Sequence, residues 1–301
     1  MSVVAVDWGT SNLRAWRLDE AGRPVESTAA PAGVMQIADG DFGGAFARHV
    51  APLAPEGMPV VMFGTIGSRQ GWREVPYAEC PAGLPDVVAR LTAVTSRSGR
   101  RLHIVPGICQ APADGLPDVM RGEEVQIFGA LRGDAAEAFV LPGTHSKWAR
   151  AEGGRIQAFA TFMTGETFAA LRGHTILGRL MPAEAEAAPD DPGFAAGLER
   201  AERGDLLHSL FGARTLGLFE RLPMASLPSY LSGLLIGSEI VAARAAGWAE
   251  APLTIVGSDR LTALYGAAFD RFGLAWRRPD HDPTIAGLWR IFTAAREAGT
   301  C

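Results

Sequence analysis

The chain opens on a short β-branched run that delivers a carboxylate into a glycine turn: Val3-Val4-Ala5-Val6-Asp7-Trp8-Gly9-Thr10-Ser11-Asn12-Leu13-Arg14. A second extended run, Leu13 to Leu18, follows, then the turn Asp19-Glu20-Ala21-Gly22 and a third strand from Pro24 to Ala29. Strand, tight polar turn and strand make a hairpin that holds an acid at its tip. Gly9 permits close backbone approach, and the amides and hydroxyls of Thr10 and Ser11 suit a phosphate. Asp7 can then orient a hydrated Mg²⁺, a cation that binds through few carboxylates. The same aspartate equally suits an Asx-type turn. A second copy of the plan constrains the fold further. Phe139-Val140-Leu141 leads into Pro142-Gly143-Thr144-His145, and Ser146 to Ala151 runs out again before the turn Glu152-Gly153-Gly154 and a return strand, Arg155 to Phe162. An internally duplicated phosphate hairpin implies two related α/β halves facing each other across a nucleotide. Leu141 stands where the first copy has Asp7, so the halves are not chemically equivalent.

The 301 residues suffice for one large domain or two medium ones, and 48% hydrophobic with 20% charged residues gives an ample core. A net charge of −5 argues against nonspecific nucleic-acid binding, so small anionic ligands need local arginines. Cys80, Cys109 and Cys301 are odd in number and scattered, which fits reduced thiols rather than a disulfide framework or a zinc site. With no basic-then-apolar leader and no unbroken apolar run of bilayer length, the expected compartment is the cytoplasm, without a membrane partner.

Along the chain, Gly40 to Leu53 reads as a helix entered at Asp39 or Asp41, and Pro59 to Phe63 as a buried strand. That strand runs into the loop Gly64-Thr65-Ile66-Gly67-Ser68-Arg69-Gln70-Gly71-Trp72-Arg73, where open α/β sheets bind ligands. The Arg69 guanidinium suits a sugar-acid carboxylate, or else answers Glu74 or Glu79 on the surface, and Trp72 reads as a packing residue. Asp86 to Thr95 is expected helical, Arg101 to Val105 a strand, and Cys109 to Pro117 a loop. Pro117 to Leu131 is expected to form a helix capped by Asp118 and carrying Glu123 and Glu124. Adjacent helical residues diverge by about 100°, so at most one of the two glutamates faces a ligand as catalytic base. Both carboxylates also suit the helix dipole. Lys147 can offer a point charge to a phosphate or sugar-acid oxygen. Thr164 to Arg172 is a helix with Thr164 as its cap, Pro182 to Pro192 a connector, and Gly193 to Arg203 and Asp205 to Arg221 are helices. Leu227 to Ala246 is a long apolar helix whose Gly233 and Gly237 imply close helix contact, as at a crossing between domains. Strand Pro252 to Val256 ends at Gly257-Ser258, ahead of a helix from Arg260, and this turn suits an adenosine contact or is an ordinary βα turn. A short strand, Leu274 to Trp276, and a last helix from Pro283 to Ala298 close the chain.

Short motifs in this order resemble the sugar kinase, heat-shock chaperone and actin superfamily, and within it the 2-dehydro-3-deoxygalactonokinase family. They are Val6 to Arg14, Gly67-Ser68-Arg69-Gln70-Gly71-Trp72, Met120-Arg121-Gly122-Glu123-Glu124, Leu141 to Trp148, Phe162-Met163-Thr164-Gly165-Glu166, Leu231 to Gly237 and Val256-Gly257-Ser258. The resemblance implies an α/β fold of two ribonuclease-H-like, actin-like ATPase domains, 1–133 and 134–301, with a nucleotide cleft between them. It implies ATP and Mg²⁺ as cofactors and 2-dehydro-3-deoxy-D-galactonate as acceptor, phosphorylated on its 6-hydroxyl. Asp7, Glu123 and Glu124 are the candidate catalytic residues, with Asp7 also on the metal. Gly9, Thr10, Ser11, Gly143 and Thr144 are the phosphate candidates, Gly257 and Ser258 the adenosine candidates. Asn12, Arg14, Ser68, Arg69 and Lys147 are the sugar-acid candidates. The chain is expected to act as a monomer or homodimer. Gly122-Glu123-Glu124 also resembles the glutamate motif of exopolyphosphatases and guanosine pentaphosphate phosphohydrolases, which makes a hydrolase the alternative. A nucleotide switch of the chaperone or actin kind would have little room here for a peptide-binding domain.

Overall fold

A computed structural model of the chain describes residues 1–113, 115–250 and 252–301. In chain order, β1 (Val3–Trp8), β2 (Leu13–Leu18) and β3 (Pro24–Ala30) precede α1 (Phe42–His49) and β4 (Val60–Phe63). Then come β5 (Ala78–Glu79), β6 (Ala82–Gly83), α2 (Leu84–Val88), β7 (Thr92–Thr95), β8 (Arg101–Ile104), β9 (Ile108–Gln110), β10 (Asp118–Met120) and α3 (Glu123–Ala130). The second repeat supplies β11 (Glu137–Leu141), β12 (Ser146–Glu152), β13 (Arg155–Phe162), α4 (Thr164–His174), α5 (Pro192–Ala201), α6 (Leu206–Leu210), α7 (Gly212–Leu218), α8 (Leu227–Ala245), β14 (Leu253–Ile255), α9 (Asp259–Arg271), β15 (Trp276–Arg277) and α10 (Pro283–Glu297).

Residues group into two compact units. The first is Met1–Ala136 with Ala151–Ala158 and Asp280–Cys301; the second is Glu137–Arg150 with Phe159–Pro279. The sequence analysis cut the chain once, at 133/134, whereas the packing returns α10 to the first unit. In that unit one sheet has the order β3-β2-β1-β4-β8-β7, with β1, β4 and β8 parallel and the pairs β1–β2, β2–β3 and β7–β8 antiparallel. Its Val4, Val6, Trp8, Phe42, Met62 and Ile104 form one buried core, and Trp72 packs on Trp8, Phe42 and Phe46, the structural part expected of it. In the second unit the order is β15-β14-β11-β12-β13, with β11, β14 and β15 parallel. The order β3-β2-β1-β4-β8 is thereby repeated, strand for strand. Duplication visible in two short turns thus extends through both sheets. The first residues of β13, which belong to the first unit, pair with β6.

Several boundaries depart from the sequence expectation. The helix expected over Asp86 to Thr95 is a short α2 followed by β7, because the β-branched Thr92, Val94 and Thr95 pair along β8. Cys109 belongs to β9, inside the expected loop; residue 114 of that loop lies outside the described residues. Asp118 does not cap α3: it pairs with Gln110 in β10, and the helix begins only after Gly122, whose φ of +120° breaks the strand direction. The helix expected over Asp205 to Arg221 is divided into α6 and α7. Met163 occupies the cap position of α4, and Thr164 is its first helical residue. The glycines of α8 do mark a close crossing, but against α5 within the second unit: a Cβ on Gly233 would lie 2.2 Å from the Phe194 carbonyl oxygen. The segment Met224–Ala245 is long and apolar enough to cross a membrane, yet 78% of its apolar window is buried inside the protein, as for a core helix.

Candidate active site

In the first unit the register of the β1–β2 hairpin sets Asp7 opposite Arg14. Their side chains meet: Asp7 Oδ2 accepts from Arg14 Nε at 3.1 Å and from Nη2. Burial pushes the Asp7 carboxyl up, Arg14 pulls it down, and the Asp282 charge adds a smaller upward push. The turn closes through Gly9 N–H donating to the Asn12 carbonyl at 2.9 Å. Carbonyls of Gly9, Thr10 and Ser11 accept from the amides of Val34, Met35 and Gly33, so the lone pairs that would repel an anion are occupied. Asp7 and residues 9–14 line a cavity of about 790 Å³ with Ala29, Ala30 and Pro31. Phosphate candidates Gly9, Thr10 and Ser11 and sugar-acid candidates Asn12 and Arg14 therefore share one wall.

A second cavity, about 180 Å³, joins Asp7 and Gly9 to Gly64, Thr65, Gly122, Glu123 and Gln126. The two glutamates diverge, as helical geometry requires. Glu123 is on the cavity and its Oε2 accepts from the Arg121 amide at 3.1 Å. Glu124 is wholly buried; its Oε2 accepts from the Gly122 amide at 2.6 Å, and its Oε1 has no partner among the described residues. Burial, with Glu123 beside it, pushes the Glu124 carboxyl up to about 8. Buried and off both cavities, Glu124 is not placed to take a proton from a ligand there, whereas Glu123 is. Ser68 and Arg69 lie off both cavities. Arg69 is 83% exposed and stands 3.6 Å from Glu74, the surface alternative of the sequence analysis.

In the second unit Gly143 and Thr144 line a cavity of about 390 Å³. Its apolar wall, with Phe168, Leu235, Ile236 and Leu264, suits a purine face, and Thr164, Ser232, Arg260 and Tyr265 supply polar groups. Gly257 and Ser258 are not on this wall. Ser258 caps α9, its Oγ accepting from the Leu261 amide at 3.4 Å, and the α9 residues Arg260 and Leu261 face the cavity instead. Lys147 is buried and donates to Thr161 Oγ1 at 2.8 Å, away from the hairpin tip. At the tip His145 Nε2 and Glu166 Oε2 lie 2.6 Å apart, both about half exposed.

Below the hairpin lies a group the sequence analysis missed. Glu239 of α8 is buried, and its Oε1 accepts from Ser146 Oγ at 2.8 Å and Trp148 Nε1 at 2.7 Å. Its Oε2 accepts from Tyr265 OH at 2.6 Å and from Thr164 Oγ1. One signal for it was present: it is the sole acid in a largely apolar helix, and glutamates are rarely fully buried without partners. Thr65 belongs to the loop already read as ligand-binding, whereas Arg260 and Gln126 carried no such signal, because only the fold brings them to a cavity.

Comparison with known proteins agrees with the motif order. The family model described as 2-keto-3-deoxy-galactonokinase matches residues 7–291. A Rhizobium meliloti protein named "Probable 2-dehydro-3-deoxygalactonokinase" is 37% identical over 290 residues, covering 94% of each chain. The 2-dehydro-3-deoxygalactonokinase of Escherichia coli is 36% identical over 271 residues, covering 90% of each. A crystal structure of a Sinorhizobium meliloti protein, described as "a putative 2-dehydro-3-deoxygalactonokinase protein", superposes with a TM-score of 0.90 at 36% identity over 98% of this chain and 99% of that one. An activator of 2-hydroxyisocaproyl-CoA dehydratase from Clostridium difficile, solved with bound ADPNP, gives 0.51 at 12% identity over 99% and 96%, a likeness of fold alone. The α/β, actin-like ATPase fold expected from the motifs is the fold observed.

Proposed function

Because the chain belongs to the 2-keto-3-deoxy-galactonokinase family, we propose that it moves the γ-phosphoryl group of ATP to the 6-hydroxyl of 2-dehydro-3-deoxy-D-galactonate. The observation that carries the chemistry is the meeting of Asp7 and Glu123 on one cavity with the first hairpin turn. Phosphoryl transfer needs positioning and charge neutralisation more than covalent chemistry. In the first unit the amides and hydroxyls of the Gly9-Thr10-Ser11 turn suit a phosphate. In the second unit Gly143 and Thr144, on the wall of its own cavity, take ATP phosphate oxygens. The apolar wall of the second-unit cavity takes the adenine ring, with Arg260 and Leu261 in the part first given to Gly257 and Ser258. Glu123, rather than Glu124, accepts the proton of the attacking hydroxyl. Arg14, on the 790 Å³ cavity, is the partner for the substrate carboxylate, in preference to Arg69 or Lys147.

Asp7 fits a hydrated Mg²⁺. Both Arg14 contacts fall on Oδ2, which leaves Oδ1 for a water-bridged cation. Among the described residues no cluster of three acidic, histidine or cysteine side chains forms a protein cage, so waters and phosphate oxygens would complete the shell. When bound, the ion supplies charge neutralisation at the phosphates. No observation favours the hydrolase alternative. The test is ATP turnover with 2-dehydro-3-deoxy-D-galactonate, with its gluconate epimer and with no acceptor, the product being assigned by phosphorus–carbon coupling in NMR. Strict acceptor dependence and a phosphate on C6 are expected. Turnover of ATP or polyphosphate without acceptor at the same rate would overturn the reading.

A further inference from the structure

We infer that Glu239 is a positioning residue for ATP, holding the second phosphate hairpin and two walls of its cavity in register from helix α8. The inference rests on the reading of Gly143 and Thr144 as phosphate binders. A carboxylate offers about four lone-pair sites, and all four are used here, two donors on each oxygen. The indole N–H of Trp148 can only donate, so Oε1 must accept. The four donors come from β12, α4 and α9, and the acceptor from α8, so one side chain ties four elements together.

Two of these ties lead to the hairpin. Ser146 follows the Gly143-Thr144-His145 turn directly. On the other side, Thr164 precedes Gly165, where a Cβ would lie 2.3 Å from the Gly143 carbonyl oxygen, and the Glu166 amide donates to the Thr144 carbonyl at 2.9 Å. The turn is thus held between β12 and the start of α4, and both are bonded to Glu239. The remaining tie, Tyr265, is itself on the cavity wall with Thr164. Among the described residues no positive side chain bonds this carboxylate, so an ion pair is not what keeps it there, while an apolar group in its place would strand four buried donors. What an apolar group cannot do is fix hydroxyl and indole directions, and hence the hairpin, within the tolerance a phosphate site needs.

The test compares Glu239→Gln, Ser146→Ala and Glu239→Met with wild type, and uses Thr144→Ala as the control for the hairpin itself. In Glu239→Gln the amide oxygen keeps Ser146 and Trp148, while Nε2 faces Thr164 and Tyr265, whose hydroxyls must turn to accept. Expected is a KM for ATP raised about five- to tenfold in Glu239→Gln, and about threefold in Ser146→Ala, which lies off the cavity. KM for the sugar acid should stay within about twofold of wild type. Glu239→Met strands the Ser146, Trp148, Thr164 and Tyr265 donors and should lower Tm as well as raise KM for ATP, so Glu239→Gln and Ser146→Ala carry the test. A purely structural role predicts instead a lower active fraction with both KM values unchanged, and that result overturns the inference. If Thr144→Ala raises KM for ATP but Glu239→Gln and Ser146→Ala do not, the positioning inference fails alone. If Thr144→Ala also leaves KM for ATP unmoved, the hairpin reading beneath it fails. Should Glu239→Gln not fold, Ser146→Ala decides by the same criterion.

Discussion

Asp7 and Glu123 differ from ordinary surface acids in what stands around them, and each difference has a measurable consequence. Asp7→Asn keeps the shape of the turn and removes the charge available to a cation. Turnover at saturating Mg²⁺ should fall about 100-fold or more, since metal-assisted charge stabilisation supplies several kcal/mol. Tm should move little, because the buried charge that is lost was itself costly. Near-normal kcat would make Asp7 a turn residue only. The glutamates should separate cleanly: Glu123→Gln loses about 10²–10⁴ in kcat as a missing general base does, and Glu124→Gln retains turnover. Glu124 instead controls stability against pH. Its folded-state value of about 8 lies above the ordinary 4.5, so the folded chain holds more protons than the unfolded one between those values. Its contribution is therefore full below about pH 4.5 and is lost as pH rises through about 8. Urea unfolding from pH 5 to 9 should show this fall in the wild type and a flatter profile in Glu124→Gln; parallel profiles would refute the assignment. At the carboxylate end of the substrate, Arg14→Lys should raise KM for the sugar acid about tenfold through loss of the two-pronged donor, with Arg69→Lys near wild type. The reverse ranking would return the role to the Gly67 to Arg73 loop.

Elements show where sequence reasoning has purchase. Both hairpins were legible because each combines a β-branched approach with a glycine turn, and the turn chemistry is local. Helix α3 was legible in its existence and not in its start. Nothing local distinguishes Pro117 to Met120 from a helix, and the strand partner that claims it, β9, is a tertiary fact. The same holds for β7. Ligand geometry divided likewise: Asp7, Gly9 and Glu123 came from motif logic, whereas Arg260 and Gln126 reach their cavities only through packing. Helix α8 was legible down to the purpose of its glycines, though not their partner. Gly233→Ala puts a methyl against the Phe194 carbonyl, a backbone group that cannot yield without moving α5. Overpacking of this kind costs roughly 1–3 kcal/mol, and here the upper end is expected, read as a lower midpoint in urea. An unchanged midpoint would mean that the α5–α8 crossing is looser than its geometry.

For the whole molecule the informative element is the last one. A fold built by duplication could have been two contiguous halves, yet α10, more than 150 residues beyond α3 in the chain, packs on it in the first unit. Arg290 Nη1 donates to the carbonyls of Phe128 and Leu131, and His281 Nε2 lies 2.9 Å from the Gly129 carbonyl oxygen, so the open end of α3 is capped by the C-terminal segment. Leu288, Ile291, Phe292 and Ala295 of α10 are buried. Full burial of a large aliphatic or aromatic side chain is worth about 1.5–3 kcal/mol, and whole domains are stable by only about 5–15 kcal/mol. Losing these side chains therefore removes an amount comparable with the stability of the unit that carries Asp7 and Glu123. A chain ending at Pro279 should lack kinase activity and lack the first unit's cooperative thermal transition, even though both hairpins and every candidate ligand-binding residue remain. Arg290→Ala is the gentler form of the same test. It leaves two α3 carbonyls without their donor and should cost about 1–3 kcal/mol, with kcat falling if the start of α3 shifts Glu123. A truncated chain that melts and turns over like the full one would show that the first unit needs only Met1–Ala136 and Ala151–Ala158.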